Sequence, residues 1–204
     1  MRHVFLALTL SALSFSIPSQ AQRVSSSPIG PQGDIGFSVG ALTAPSSASA
    51  SGNHSAQTIG GGAYLTVSGN YLFAHSLGFG SEVSWRATQN LYQGYQPFRP
   101  IFYDVHATYA PKLGRQAQLE LIGGLGGLST RFYSQAFACT VFNCINYSTS
   151  DHFMGDVGAG VRIYVHNGIF LRPEFREYFI HNAFEFSSGH ASREGVTLGY
   201  SFGR

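Results

Sequence analysis

The stretch Asp156-Val157-Gly158-Ala159-Gly160-Val161-Arg162-Ile163-Tyr164-Val165-His166-Asn167-Gly168-Ile169-Phe170-Leu171-Arg172-Pro173-Glu174-Phe175-Arg176 decides the architecture. Val157, Ala159, Val161, Ile163 and Val165 share one face, and Asp156, Gly158, Gly160 and Arg162 share the other. A period of two belongs to an extended strand. Asn167-Gly168 supplies the pair that a type I′ hairpin turn favours, since both central residues need positive φ. Beyond the turn, Ile169, Leu171 and Phe175 resume the apolar face while Arg172, Glu174 and Arg176 resume the polar one. Pro173 removes a ladder donor and Glu177 points outward on strict alternation. A bulge is therefore expected in this run, or an exit from apolar surroundings before Glu177.

Working outward, six further runs alternate in the same way. The first is Ile35 to Leu42. The second sets Leu65, Val67 and Tyr71 against Tyr64, Thr66, Ser68 and Asn70. The third sets Leu77, Phe79, Val83 and Trp85 against Gly78, Gly80, Glu82, Ser84 and Arg86. The fourth opposes Ile101, Tyr103, Val105, Ala107 and Tyr109 to Phe102, Asp104, His106 and Thr108. In the fifth, Leu119, Leu121 and Leu125 oppose Gln118, Glu120, Gly124 and Gly126; in the last, Val196, Leu198, Tyr200 and Phe202 oppose Thr197, Gly199 and Ser201. The connections alternate in length. Long ones, 44–58, 88–100, 134–151 and 182–192, are separated by short ones at 74–76, 111–116 and 167–168. Eight antiparallel strands with four long loops and three short turns form the pattern of an up-and-down transmembrane β-barrel, with its short turns in the periplasm.

Composition agrees with that class. Charged residues are 11% of the 204-residue chain, aromatics 14%, and glycines number 25, whereas a soluble domain carries about a quarter charged residues. A net charge of +2 gives no reason to expect a nucleic-acid partner. Met1, Arg2 and His3 precede an apolar run, Val4 to Ile17, and Pro18-Ser19-Gln20-Ala21 offers a small-residue cleavage site. Residues 1–21 are thus expected to be a secretory signal peptide, 22–33 a short periplasmic segment and 34–204 the barrel. Outside the signal no run reaches the twenty apolar residues that a membrane helix needs. Cys139 and Cys144 are the only cysteines, and in an exported chain they are expected to form a disulfide stapling the third long loop.

The polar faces collect Glu82, Asp104, Glu120, Asp156 and Glu174 with Arg86, Arg162, Arg172 and Arg176. Five acids and four arginines on glycine-rich faces fit a narrow lumen in which buried charges must be paired, and Arg, whose fork grips a carboxylate bidentately, outnumbers Lys eleven to one. Such an interior is a plug rather than a pore. On the apolar faces, Trp85 and Tyr103 fall near the external boundary, and Tyr71, Tyr109, Tyr200 and Phe202 near the periplasmic one. They are expected to form two aromatic girdles.

Strand number, loop asymmetry, the alternating Tyr200 and Phe202 of the last strand and the stretch Arg172-Pro173-Glu174-Phe175-Arg176 together resemble the eight-stranded outer-membrane barrels of the OmpA/OmpX type. The resemblance covers Asp34 to Arg204. It implies outer-membrane location, contact with outer-membrane lipid and lipopolysaccharide, and assembly by the barrel-assembly machinery. That machinery reads a terminal aromatic in the family, whereas here Gly203 and Arg204 follow Phe202. A periplasmic peptidoglycan-binding domain after the barrel region, and with it wall anchoring, is not expected.

The expected function is non-enzymatic: a structural or adhesive barrel whose external loops meet an extracellular ligand. Those loops hold Tyr92, Tyr95, Phe98, Phe137, Phe142, Tyr147, Phe184 and Phe186, which either contact a partner or pack together over the mouth. Two alternatives stand beside it. A lipid-modifying enzyme would draw on His152, His181, Glu185, Ser187 and His190, but no nucleophile–base spacing marks a catalytic set. A soluble lipocalin-like barrel would invert the two faces around a lipophile. His54, His152, His181 and His190 lack the Cys or carboxylate spacing of a metal site. The glycine clusters at 60–62 and 123–127 precede no helix pattern, so no nucleotide or other cofactor is expected.

Overall fold

The computed structural model describes residues 31–46, 55–73, 76–139 and 144–203, without the side chains of 135–138. The expected signal peptide, the segment 22–30, His54 and the side chains of Phe137 and Phe142 lie outside the described residues. Along the described chain run β1 (Gln32–Thr43), β2 (Ala63–Leu72), β3 (Leu77–Arg86), β4 (Asn90–Tyr92), β5 (Gln96–Tyr109), β6 (Ala117–Cys139), β7 (Cys144–His166), β8 (Ile169–Ile180) and β9 (His190–Phe202). Strand β1 begins at Gln32, two residues before the barrel region assigned from sequence.

Every pairing is antiparallel, and all but β1–β9 and β3–β5 join sequence neighbours. The sheet closes because β1 pairs with β9 and β3 with β5. The result is an all-β, eight-stranded up-and-down barrel, with β4 an appendage hydrogen-bonded to the start of β5. Closure satisfies each strand's backbone groups without water, which lipid demands of any sheet that crosses it. At one end lie the connections 73–76, 110–116 and 167–168, together with the start of β1 and the end of β9. Asn167 and Gly168 have φ of 37° and 88°, the left-handed pair of a type I′ turn.

Two loop assignments change. The segment 134–151 is not an open loop but the outer part of a hairpin, with β6 and β7 paired from Ala117↔Ile163 out to Cys139↔Cys144. β5 stops pairing with β6 at Phe132 and β8 stops pairing with β7 at Met154, so the rest is a two-stranded ribbon standing clear of the wall. Likewise 88–100 contains the β4–β5 hairpin. The disulfide Cys139–Cys144 is present and directly cross-strand, with Cα atoms 4.0 Å apart. Closing so short a loop contributes about 2 kcal/mol, all of it local. The double variant C139A/C144A is expected to speed proteolytic clipping within 134–150 while leaving the unfolding midpoint of the barrel unchanged.

The bulge expected in the seventh run is also misplaced. β8 keeps one register along β7 from Met154↔Ile180 to Tyr164↔Phe170, and the irregularity falls on β7 between Tyr164 and His166, beside the turn. Pro173, exposed on the outer face, keeps its place opposite Val196 of β9, while the pairing of β8 with β7 is interrupted at Arg172 and Pro173, where the ladder donor is missing. Glu177 stays in the ladder, accepting a hydrogen bond from Ser192 Oγ at 2.5 Å.

The two faces of the wall are sharply different. Outside, Phe79, Val105, Leu125, Phe153, Val165 and Leu198 are among many large apolar side chains left exposed. Inside, five arginines are among the most completely buried side chains. Burying charge while exposing an apolar belt is the reverse of a water-soluble barrel. Its physical rationale is a lipid surrounding.

Candidate functional site

The barrel interior has three tiers. At the short-turn end Gln32 Nε2 donates to Asp34 Oδ1 (2.9 Å) and Tyr164 Oη (2.7 Å), and Tyr164 Oη donates to Gln118 Oε1 (3.2 Å). Above this polar floor runs one continuous chain of ion pairs. Asp34 meets Arg162 at 2.5 Å, Arg162 meets Glu120 at 2.5 Å, and Glu120 meets Arg172 at 2.6 Å. Arg172 reaches Glu174 (2.7 Å), Glu174 reaches Arg193 (2.9 Å), and Arg193 reaches Glu82 (2.6 Å). Glu82 leads to Arg176 (3.2 Å), which also holds Asp156 (2.7 Å) and Asp104 (3.3 Å). His106 ends the chain, its Nδ1 2.5 Å from Asp104 and its Nε2 2.8 Å from Asn70 Oδ1.

Small residues make this possible. A Cβ at Gly158 would lie 2.9 Å from Arg176 Cγ, and one at Gly160 3.2 Å from Arg172 Cγ. Gly158 and Gly160 of β7 thus leave the lanes along which Arg176 and Arg172 of β8 cross the lumen. Aromatic faces carry the guanidinium planes: Arg162 lies 4.6 Å from the Phe170 ring centroid and Arg193 5.8 Å from that of Tyr178.

Of the nine lumen residues expected from sequence, the structure joins eight in this chain. Arg86 stands apart: it donates to the carbonyls of Ile59 (2.5 Å) and Gly60 (2.8 Å) and faces the rings of Tyr64 and Phe98, with no carboxylate partner among the described residues. Two members were missed, Asp34 and Arg193. Both sit just beyond the run boundaries drawn from sequence, yet the same alternation, extended by one residue before Ile35 and by three before Val196, puts them on the inner face.

The third tier closes the long-loop end with apolar side chains. Leu42, Tyr64, Phe98, Phe102, Leu128, Met154 and Tyr178 from the wall pack with Ile59, Ala183 and Phe186 from the loops, and Tyr92 of β4 packs against them. Phe102 stacks on Tyr178 at 4.8 Å, and Phe186 lies 5.8 Å from Phe98. The loop aromatics therefore divide. Tyr92, Phe98 and Phe186 point into the mouth, whereas Tyr95 and Phe184 face out.

The girdle residues Tyr71, Tyr103, Tyr109, Tyr200 and Phe202 are exposed on the outer wall and Trp85 is half-buried there. Tyr71 packs on Phe79 at 5.8 Å, and Tyr200 on Phe202 at 4.9 Å.

The histidine and serine candidates do not assemble as a set. Ser187 Oγ donates to the carbonyl of Pro45 at 2.7 Å, and His190 packs edge-on against Phe179 at 5.2 Å on the outside. Only His152 and Glu185 meet, at 2.9 Å, joined by Ser150, which donates to Glu185 and lies 3.2 Å from His152 Nε2. Carboxylate and hydroxyl both address the same ring nitrogen. A relay needs them on opposite nitrogens, so this triangle latches the 181–189 loop to β7 and lacks the geometry to activate Ser150. Among the described residues no cluster of three or more His, Cys, Asp or Glu has metal-site geometry.

Solved structures share the architecture. Neisserial surface protein A superposes with a TM-score of 0.58 at 10% identity, covering 86% of this chain and 99% of its own. The fold is that of the eight-stranded outer-membrane β-barrels. The N-terminal β-barrel domain of Pseudomonas aeruginosa OprF matches with a TM-score of 0.53 at 10% identity, over 86% of this chain and 100% of that one. Ail, the attachment invasion locus protein of Yersinia pestis, in complex with the heparin analogue sucrose octasulfate, matches at 0.50 and 12% identity over 84% and 97%. No protein-family profile matches the chain, and neither does any characterised protein sequence. The shared property is therefore the barrel itself.

Proposed function

We propose that this chain is a non-enzymatic outer-membrane barrel, closed to solutes, whose wall anchors surface loops for adhesion or recognition. The observation that carries the reading is the filled interior. A continuous chain of buried ion pairs occupies the middle, and an apolar cluster with loop residues Ile59, Ala183 and Phe186 caps it. A transport path needs unpaired, hydrated groups lining a passage, and this interior spends its polar groups on one another. The exposed belt of apolar side chains, bounded by Tyr71, Tyr109, Tyr200 and Phe202 at one end and by Trp85 and Tyr103 toward the other, supports placement in lipid with the long loops outward. Delivery there rests on the signal peptide expected at 1–21, and insertion on the barrel-assembly machinery. Surface attachment, named for the Yersinia protein of the same fold, is the kind of role such loops serve.

Planar-bilayer recording of the refolded mature chain tests the closed interior. No discrete conductance steps are expected, and reproducible steps would contradict the plug. Heat-modifiable gel migration of the same sample, folded and unfolded forms separating, checks that the barrel is closed and lipid-inserted.

A further inference from the structure

The outer wall carries two carboxylates at a height where its other side chains are apolar. Glu177 of β8 and Glu194 of β9 both sit on the outward-facing positions of their strands. Closure of the sheet fixes how high they stand. The line of paired residues that leaves β1 at Gly33 runs round the wall through Glu177 and Ser192 and returns to β1 at Thr43, ten residues further from the short turns. Shared among eight strands, that offset lifts the line by about 1.25 residues at each crossing. Glu177 and Glu194 therefore stand about seven residues above the level of Gly33, against about one for Tyr71 and Tyr200 and about eight for Tyr103 and Trp85. On their own flank Phe179 and Phe153 stand higher still. Both carboxylates thus lie inside the apolar belt, where an ionised group is costly unless something neutralises it.

Glu177 has the hydroxyl of Ser192. Glu194 has no hydrogen bond or ion pair among the described residues: Phe175 opposes it on one side and Ala41 on the other, and Glu177 lies on its diagonal, about 7–8 Å away. No lysine or arginine among the described residues stands on the outer wall at this height, so a second copy in the same orientation offers no countercharge. Below Glu194 the wall is indented by an apolar groove of about 730 Å³, with Val39, Ala159, Val161, Pro173 and Val196 along it and Glu194 at its upper rim. A cation reaches this depth on an apolar carrier. We infer that the groove seats a long-chain amphiphile with a protonated amine head, its ammonium on Glu194 and its alkyl tail along Val196, Pro173 and Val161. The ammonium supplies the donors and the charge that acyl chains cannot, and the tail takes the place of ordinary lipid. The inference rests on the placement in lipid proposed above.

The test moves the single tryptophan beside the groove. Leu121 faces outward directly opposite Ala159, so W85F/L121W carries its fluorophore at the groove wall. The full mature chain with these two changes is placed in phosphatidylcholine vesicles containing stearylamine brominated on its chain, or stearyl alcohol brominated alike, and quenching is read against mole fraction. Half-quenching is expected at about tenfold less amine than alcohol, the worth of one charge-assisted hydrogen bond. Adding E194Q should bring the two probes within about twofold of each other, whereas E177Q, whose carboxylate Ser192 already holds, should keep most of the preference. Equal quenching by amine and alcohol, or a preference that survives E194Q, overturns the inference. So would cross-linked dimers that depend on Glu194 and form without any amine preference, because the groove would then belong to a second copy. Unaltered heat-modifiable migration of E194Q shows that the barrel survives the change. A chain that folds in no vesicle would instead remove the placement in lipid, a separate and visible failure.

Discussion

Arg176→Met is expected to destabilise the folded barrel by about 3–5 kcal/mol, the cost of stranding buried carboxylates when one partner of an ion pair is removed. Arg176 is the branch point of the lumen chain, holding Asp156 through Nη1 at 2.7 Å, Asp104 at 3.3 Å and, through Nη2, Glu82 at 3.2 Å. Glu82 keeps Arg193 and Asp104 keeps His106, but Asp156 loses the only arginine it contacts among the described residues. The size of the effect reflects that orphaned charge more than any net gain from the pairs. Arg176→Lys keeps the charge without the fork and should fall between. Arg86→Met, which strands no carboxylate, should cost distinctly less. Urea unfolding from phospholipid vesicles, followed by the fluorescence of the single tryptophan, Trp85, reads all three. An Arg176→Met midpoint equal to wild type would show that the lumen chain does not hold the barrel.

The second large effect separates a lipid-facing wall from a wet one. Val105 is 67% exposed on the outer face of β5, between Tyr109 at the short-turn end and Arg99 above the belt. Val105→Arg puts a cation near the middle of the belt. In vesicles it should cost about 2–4 kcal/mol, whereas at a solvated surface the same change stays within about 0.5 kcal/mol. Equal midpoints for Val105→Arg and wild type in vesicles would mean that this face does not meet acyl chains.

How much was legible beforehand differs from element to element. Where one face is buried, alternation is forced, because a one-residue slip would exchange every side chain between lumen and exterior. That is why Asp156 to Val165 and Ile169 to Arg176 read correctly as strands with their charges on one side. The ribbon beyond Tyr133 and before Phe153 escaped for the same reason in reverse. Outside the barrel neither face is buried, so Asn146-Tyr147-Ser148-Thr149-Ser150 shows no apolar alternation and reads as loop. Glu177 suggested a break in β8 because it points outward, but it lies at the level of Ser192, which satisfies it.

Sequence by itself determined strand number, the face each side chain takes, the Asn167-Gly168 turn and the presence of a near-balanced set of inward charges, since all of these are local consequences of period and turn chemistry. Only the tertiary structure decided who meets whom. Arg162 finds Asp34 across 128 positions of sequence, Arg176 finds Asp104 across 72, and Phe186 enters a mouth built from β2, β5, β6, β7 and β8. Those meetings are set by the register and closure of the whole sheet, and no single strand carries that information.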